Sequence, residues 1–330
     1  MKKSIHLLSC LALLASCSGE MPTSDYVTGF KAAQKAEHDK GNVSYRMEGN
    51  INVTDLVMDE ALYNIKATNI DGHFVLSQVP EDLSGIDFGF IRDFDANILL
   101  KAANFEVNAY PGTDYATNIR LTDPSIDITV SNNVAYADFT DINLGGQIVG
   151  GQAIAEGQGG KFKVTPWLEE NPFDFNLGGS LFDAYIIQLF DFSKQGGFNQ
   201  AKLDLDYRKT ADLYVALKLA IWMTENGYDV TKDMSRDEVY RKRALFTEEI
   251  ETVLTEDFHF VLTFSYNDKG MKDIDLTMKG GIAINALDYT LDEDEIETVT
   301  FDMDLHFHEL GNKKFKPVKN PGDYREVRLG

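Results

Sequence analysis

The chain has 330 residues, 43% of them hydrophobic and 25% charged, with a formal charge of −22 at pH 7. That apolar share excludes wholesale disorder, and a chain this long buries a sizeable core without disulfide staples. So negative a field repels phosphate backbones and anionic headgroups, which argues against nucleic acid as a partner.

Met1-Lys2-Lys3 supplies positive charge, and Ile5 to Ala15 is a mostly apolar run broken by His6. It is too short to span a bilayer and has the form of a secretory signal. The segment that follows, Leu14-Ala15-Ser16-Cys17, resembles the lipobox of bacterial lipoproteins. In that family the cysteine receives a diacylglycerol on sulfur, the peptide is cut just before it, and the new amino terminus is often acylated. The resemblance makes residues 1–16 a signal peptide and Cys17 the site of lipid attachment, a tether and not a reagent. Cys10, the other of only two cysteines, is discarded with the signal. Removing residues 1–16 leaves 330 − 16 = 314 residues, and losing Lys2 and Lys3 takes the charge from −22 to −24. No disulfide is then possible. Several acyl chains, at about 0.8 kcal/mol per buried CH₂, anchor stably where one chain gives only reversible binding.

Residues 17–24 form a short tether, whose stretch from Ser18 to Ser24 reaches about 25 Å at roughly 3.5 Å per residue when fully extended. The globule is therefore expected close to the membrane surface. Ser18 in place of Asp directly after the cysteine resembles lipoproteins sorted to an outer membrane. This implies a lipid-anchored place in the cell envelope, at the outer membrane if the organism has two.

Residues 25–310 are expected to form one α+β domain. In the stretch 24–42, Ser24 is a candidate N-cap, Tyr26, Val27, Phe30 and Ala33 share a side, and Gly41 stands where a helix stops. From Val43 the period changes to two, through Val43, Tyr45, Met47, then Leu62, Ile65, Phe74 and Leu76, and strands are expected to about residue 165. The clearest is a hairpin in residues 118–144. Ile126, Ile128 and Val130 alternate with Asp127 and Thr129, Asn132-Asn133 supplies a two-residue turn, and Val134 and Tyr136 lead back toward Phe139. The glycine cluster 145–160 is expected as a bulged or flexible edge segment, with a mobile cover over a binding cavity as the functional alternative. It lacks the Gly-Lys-Ser/Thr ending of a phosphate loop.

Residues 180–195 are apolar around most of a helical wheel, through Leu181, Phe182, Tyr185, Ile186, Ile187, Leu189, Phe190 and Phe192, so a helix enclosed by sheet is expected. Residues 201–223 fit two periods. Leu213, Val215, Leu217, Leu219 and Ile221 alternate without a gap, whereas Thr210 and Asn226-Gly227 would cap a helix. A comparison within the chain favours the strand: at an offset of about 59 residues in a repeat search, Tyr207 falls on Tyr266, and Val215, Leu217 and Leu219 on Ile274, Leu276 and Met278. On the same offset the 181–192 helix falls on part of a second, in residues 235–254. That second helix carries Ser235 and Glu238 as a capping box and Val239, Phe246, Ile250 and Val253 on one face.

No nucleophile has a catalytic setting, since Gly-x-Ser-x-Gly, His-Glu-x-x-His and a free thiol are all missing, so no enzymatic activity and no cofactor are expected. His306 and His308 are the candidate metal ligands, because positions two apart on a strand face the same way, with Asp302 and Asp304 on that side. Phe301, Met303, Leu305 and Phe307 occupy the other side, so the wet face of an amphipathic strand accounts for the pattern, and no metal is expected. The acidic stretch 291–298 lacks the spacing of a calcium loop and is expected as a solvated turn. Residues 311–330, with Lys313, Lys314, Lys316, Lys319, Arg325 and Arg328, are expected as a solvated basic tail, with docking to an anionic surface or to the acidic body as the alternative.

The 24–42 helix entering the 43–53 strand, the hairpin about Asn132-Asn133, and the helix and hairpin of 235–284 together resemble the half-barrel lipoprotein carriers of the LolA and LppX type. That resemblance implies a strongly curved antiparallel sheet wrapped around helices, with lipid held in the apolar space between them. The expected function is a membrane-anchored lipoprotein binding or carrying an apolar ligand such as a lipid. The alternative is a structural or adhesive surface lipoprotein with a fully packed core.

Overall fold

The computed structural model describes residues 24–58, 61–77, 95–109, 116–149, 151–155, 159–165, 187–225, 236–283, 298–311 and 313–327. Residues 1–16, expected as a signal segment and holding Cys10, together with Cys17, residues 181–186, Asn226-Gly227, Ser235, the acidic stretch 291–297 and Arg328, lie outside them. The described residues form one curved, unclosed sheet of sixteen strands together with three long helices, the α+β architecture expected from the sequence.

Helix α1, Ser24–Asp39, turns Phe30, Ala33 and Glu37 to the interior at helical spacing. It ends at Gly41, whose φ of +70° is the left-handed conformation glycine adopts without strain and whose N–H bonds the His38 carbonyl at 2.9 Å. The long strands β1, Asn42–Met58, and β2, Ala61–Ser77, follow as one hairpin. Two register shifts in this pair, at Gly49/Ile51 and at Val53/Leu56, mark bulges, which bend a strand and deepen its twist.

β2 forks the sheet. Its second half pairs with β3, Ala96–Lys101, and its first half with β4, Asn104–Ala109. One branch continues through β6, Ser125–Ser131, β7, Val134–Asp138, and β10, Lys161–Val164. The other continues through β5, Asn118–Thr122, and the two-residue strands β8, Ile148–Val149, and β9, Gln152–Ala153. Between the branches lies an apolar cluster of Ile119, Leu121, Ile126, Phe139, Leu144, Val149, Ile154 and Phe162. The β6–β7 hairpin turns at Asn132 and Asn133, with φ of +52° and +57°, as a two-residue turn requires. The described part of the glycine cluster thus holds the β8–β9 hairpin at the end of a branch.

The other wing runs β11, Phe190–Gln195, β12, Phe198–Asp206, β13, His259–Asn267, β14, Gly270–Ala283, and β15, Thr298–Glu309, which pairs with β1. Two sequence expectations are corrected here. Phe190 and Phe192 belong to a strand, because β12 offers a paired edge on which both rings reach α1. Residues 210–225 are helical within α2, Tyr207–Glu225, and not the strand that the internal offset favoured. Asp206 caps that helix by accepting the Lys209 N–H at 2.8 Å, and Val215, Ala216, Leu219 and Met223 bury at helical spacing. Helix α3, Arg236–Val253, lies against α2 through Phe246 and Ile250, as its periodicity predicts.

The described C-terminal residues lie along the body, with the Lys313, Lys314, Lys316, Lys319 and Arg325 side chains exposed to solvent. Asn97 accepts the Lys316 N–H at 2.7 Å and donates to its carbonyl at 2.9 Å, and Asn42 accepts the Phe315 N–H at 3.1 Å. Strand β16, Arg325–Glu326, pairs in parallel with β10, which makes the sheet mixed, and Val327 is buried beside it.

Candidate functional site

Two faces of the β12–β1 wing offer different chemistry, because side chains alternate across each strand and the register aligns like with like. On the inner face one row runs Leu205, Phe260, Met278, Met303, Ile51, Ala67, Phe105 and Leu121, crossing eight strands without a polar residue. A second runs Leu203, Leu262, Leu276 and Leu305.

At one end of this face α1 seals the sheet. Phe30 meets Phe190, Phe264 and Tyr266 with ring centroids 5.3–5.5 Å apart, and Phe30, Ala201 and Tyr266 have no exposure at all. The Tyr266 hydroxyl donates to the Tyr26 carbonyl at 3.0 Å, and burial pushes its pKa up to about 12. At the other end α2 and α3 pack over Phe258, Met278 and Ile282, with Leu254 buried beneath them. Tyr214 on α2 donates to Glu249 on α3 at 3.1 Å, and the Lys218 ammonium sits over the Tyr214 and Phe246 rings. The middle of the face is less covered. Leu262, Leu276, Met303 and Ile51 are each only half-buried, although all are large and apolar, while Leu305 is buried.

The outer face of the same strands is polar. His306 and His308 both lie on it, as the strand period predicts, but their partners come from the neighbouring strand. His308 Nδ1 is 2.6 Å from Asp273 Oδ1 and His306 Nδ1 is 2.5 Å from Asp275 Oδ1, following the cross-strand pairs Asp273↔His308 and Asp275↔His306. His306 Nε2 is 3.8 Å from Asp273. Asp302 and Asp304 share the histidines' side of the strand but line a separate depression of about 420 Å³ with Asn50, Ile51, Asn52, Lys66, Thr68, Thr277 and Lys279. Sequence missed Asp273 and Asp275 because strand register is not visible in one sequence. Their alternation with Ile274 and Leu276 was the available signal.

Arg46 stands beside His308 in the register and is held by Glu48 at 2.8 Å and Asp71 at 2.9 Å. Farther along this face, hydrogen bonds from Lys202 and His259 hold the Asp204 carboxyl down at about 2. No helix among the described residues is long and apolar enough to cross a membrane. Neither a protein-family model nor a curated protein matches this chain.

Proposed function

We propose that the protein is an envelope lipoprotein, anchored through an acylated Cys17, that holds an apolar ligand such as a lipid on the inner face of its sheet without transforming it. One observation carries the proposal: the half-buried middle of an apolar face whose two ends are sealed by helices. A folded chain normally covers such a surface, and an acyl chain lying along it gains about 0.8 kcal/mol for each CH₂ removed from water. The lipobox Leu14-Ala15-Ser16-Cys17 supports the anchor and the envelope location. The residues on the apolar rows offer packing and no reactive group, which fits a carrier rather than a catalyst.

A second reading is a structural or adhesive lipoprotein with a filled core, and the fully buried Phe30, Ala201 and Tyr266 favour it at the α1 end. Native mass spectrometry of protein extracted from producing cells separates the two. A carrier retains a stoichiometric lipid-sized adduct that organic solvent removes, and Met303→Glu, at a half-buried position, weakens that retention. Protein that leaves the cell with no adduct, and takes up no fluorescent fatty acid afterwards, is the structural one. The intact mass of the N-terminal peptide tests the anchor directly: an unmodified Cys17 in material from a lipoprotein-processing host defeats that part of the proposal.

A further inference from the structure

The outer-face ladder brings together more than its sequence pattern announced. One donor atom from each of Asp273, His306 and His308 lies within 4.8 Å of the other two. The Asp273 carboxylate occupies the centre, 2.6 Å from His308 Nδ1 and 3.8 Å from His306 Nε2. Asp275 stands behind His306 at its other ring nitrogen, Nδ1, 2.5 Å away. A carboxylate there accepts the Nδ1–H and so fixes the tautomer that leaves the Nε2 lone pair on the Asp273 side. Metal-bound imidazoles are commonly held in this way by a carboxylate on the ring nitrogen that does not bind the metal.

We propose that Asp273, His306 and His308 form a binding site for a divalent transition-metal ion of the zinc class, with Asp275 as a positioning residue for His306. Two imidazole nitrogens and one carboxylate oxygen suit zinc, copper or nickel, and are a poor match for calcium or magnesium, which take oxygen ligands. Bonds of about 2.0–2.2 Å to one tetrahedral ion hold its donors roughly 3.3–3.5 Å apart, so His308 Nδ1 and Asp273 part from 2.6 Å, exchanging their hydrogen bond for the metal, and His306 Nε2 closes in from 3.8 Å. Side-chain rotation supplies that movement, since the His306 and His308 side chains are 44% and 61% exposed. The backbone stays fixed, because β15 is paired on both sides, with β14 and β1. Arg46, beside His308 in the register, is paired with Glu48 and Asp71. Three protein donors leave at least one coordination position for water or for a ligand from outside. The site lies on the face opposite the apolar rows, so it stands or falls independently of lipid binding.

The test is calorimetric titration of the full-length chain with Zn²⁺, with Cys10 and Cys17 alkylated so that no thiol competes. One saturable site per chain is expected, undisturbed by millimolar Ca²⁺. Asp273→Ala, His306→Ala and His308→Ala each lower its affinity at least about tenfold, and Asp275→Asn lowers it about tenfold while leaving one ion per chain. These residues lie on the surface, so circular dichroism and thermal melts of the variants should match the parent. An unchanged zinc isotherm in the His306→Ala/His308→Ala double variant would assign the ion to the general acidic surface and overturn the proposal. Displacement by Ca²⁺, or no saturable binding by the parent chain, would overturn it equally.

Discussion

Glu37 reaches from the end of α1 to accept the backbone N–H of Met271 at 2.6 Å, where β14 begins. The same carboxylate oxygen accepts from Lys40 at 2.8 Å, Lys40 donates to Glu309 on β15 at 2.7 Å, and Lys272 also donates to Glu309. Two acidic and two basic side chains thereby tie the helix to two strands, around a glutamate that is only 5% exposed. Burial alone would lower the Lys40 pKa, yet Glu309 and Glu37 raise it.

Removing the Glu37 carboxylate leaves a buried N–H without its acceptor and an ammonium short of one partner. Glu37→Ala should cost about 2–4 kcal/mol of unfolding free energy, read from urea denaturation at pH 7. A loss below about 0.5 kcal/mol, within the range of ordinary surface substitutions, would show that the contact does not hold the helix to the sheet.

Acid should weaken specific contacts even as it relieves the general repulsion of an acidic chain. Glu309 is held below its usual value of 4.5, because hydrogen bonds from Lys272 and Lys40 outweigh the upward push of burial, and Asp204 is held at about 2 against a usual 3.8. Carboxyls that are stronger acids when folded take up protons more readily in the unfolded chain. Their contribution is therefore complete above pH 4.5 and is lost as pH falls through the lower folded values. Loss of net negative charge acts in the other direction and affects every variant alike. The measurement is thus the difference between the parent and Glu309→Gln/Asp204→Asn. That difference in urea midpoint should shrink between pH 5 and pH 2, and a constant difference would refute the linkage.

Gly49 has φ of +137°, and a Cβ built there would stand 1.9 Å from the Asp304 carbonyl oxygen. The substitution Gly49→Ala must therefore separate β1 from β15 at the bulge. Alanine is strained at this φ whatever the space around it, and the collision adds to that strain, so a net loss well above about 1 kcal/mol is expected. A thermal melt at or above that of the parent protein would contradict the close approach.

The parts of this fold legible in the sequence are those whose cues are local. Ile126, Ile128 and Val130 bury one side of a strand, and two asparagines that tolerate positive φ make the following turn. α2 was misjudged because Val215 and Leu219 fit both periods, while the residue that caps it, Asp206, was passed over in favour of Thr210. Phe190 and Phe192 were given to a helix because an apolar run carries no period. Only the neighbouring edge of β12 makes them a strand. The candidate sites follow the same division. Spacing put His306 and His308 on one side of β15, but Asp273 and Asp275 reach them across a strand boundary set by some thirty residues of intervening chain. The apolar rows on the inner face are likewise a product of register, since no strand contributes more than a few of their members.

The seam between β1 and β15 also sets the order of events during biosynthesis. β1 is among the first structured stretches to be made, yet one of its two edges stays vacant until the residues up to Glu309 have emerged. The interval from Met58 to Glu309 is 309 − 58 = 251 residues, so at ~5–20 residues per second that delay lasts on the order of 13–50 s. Throughout it a long hydrogen-bonding edge lies open to self-association, and the nascent chain has a corresponding need for holding chaperones.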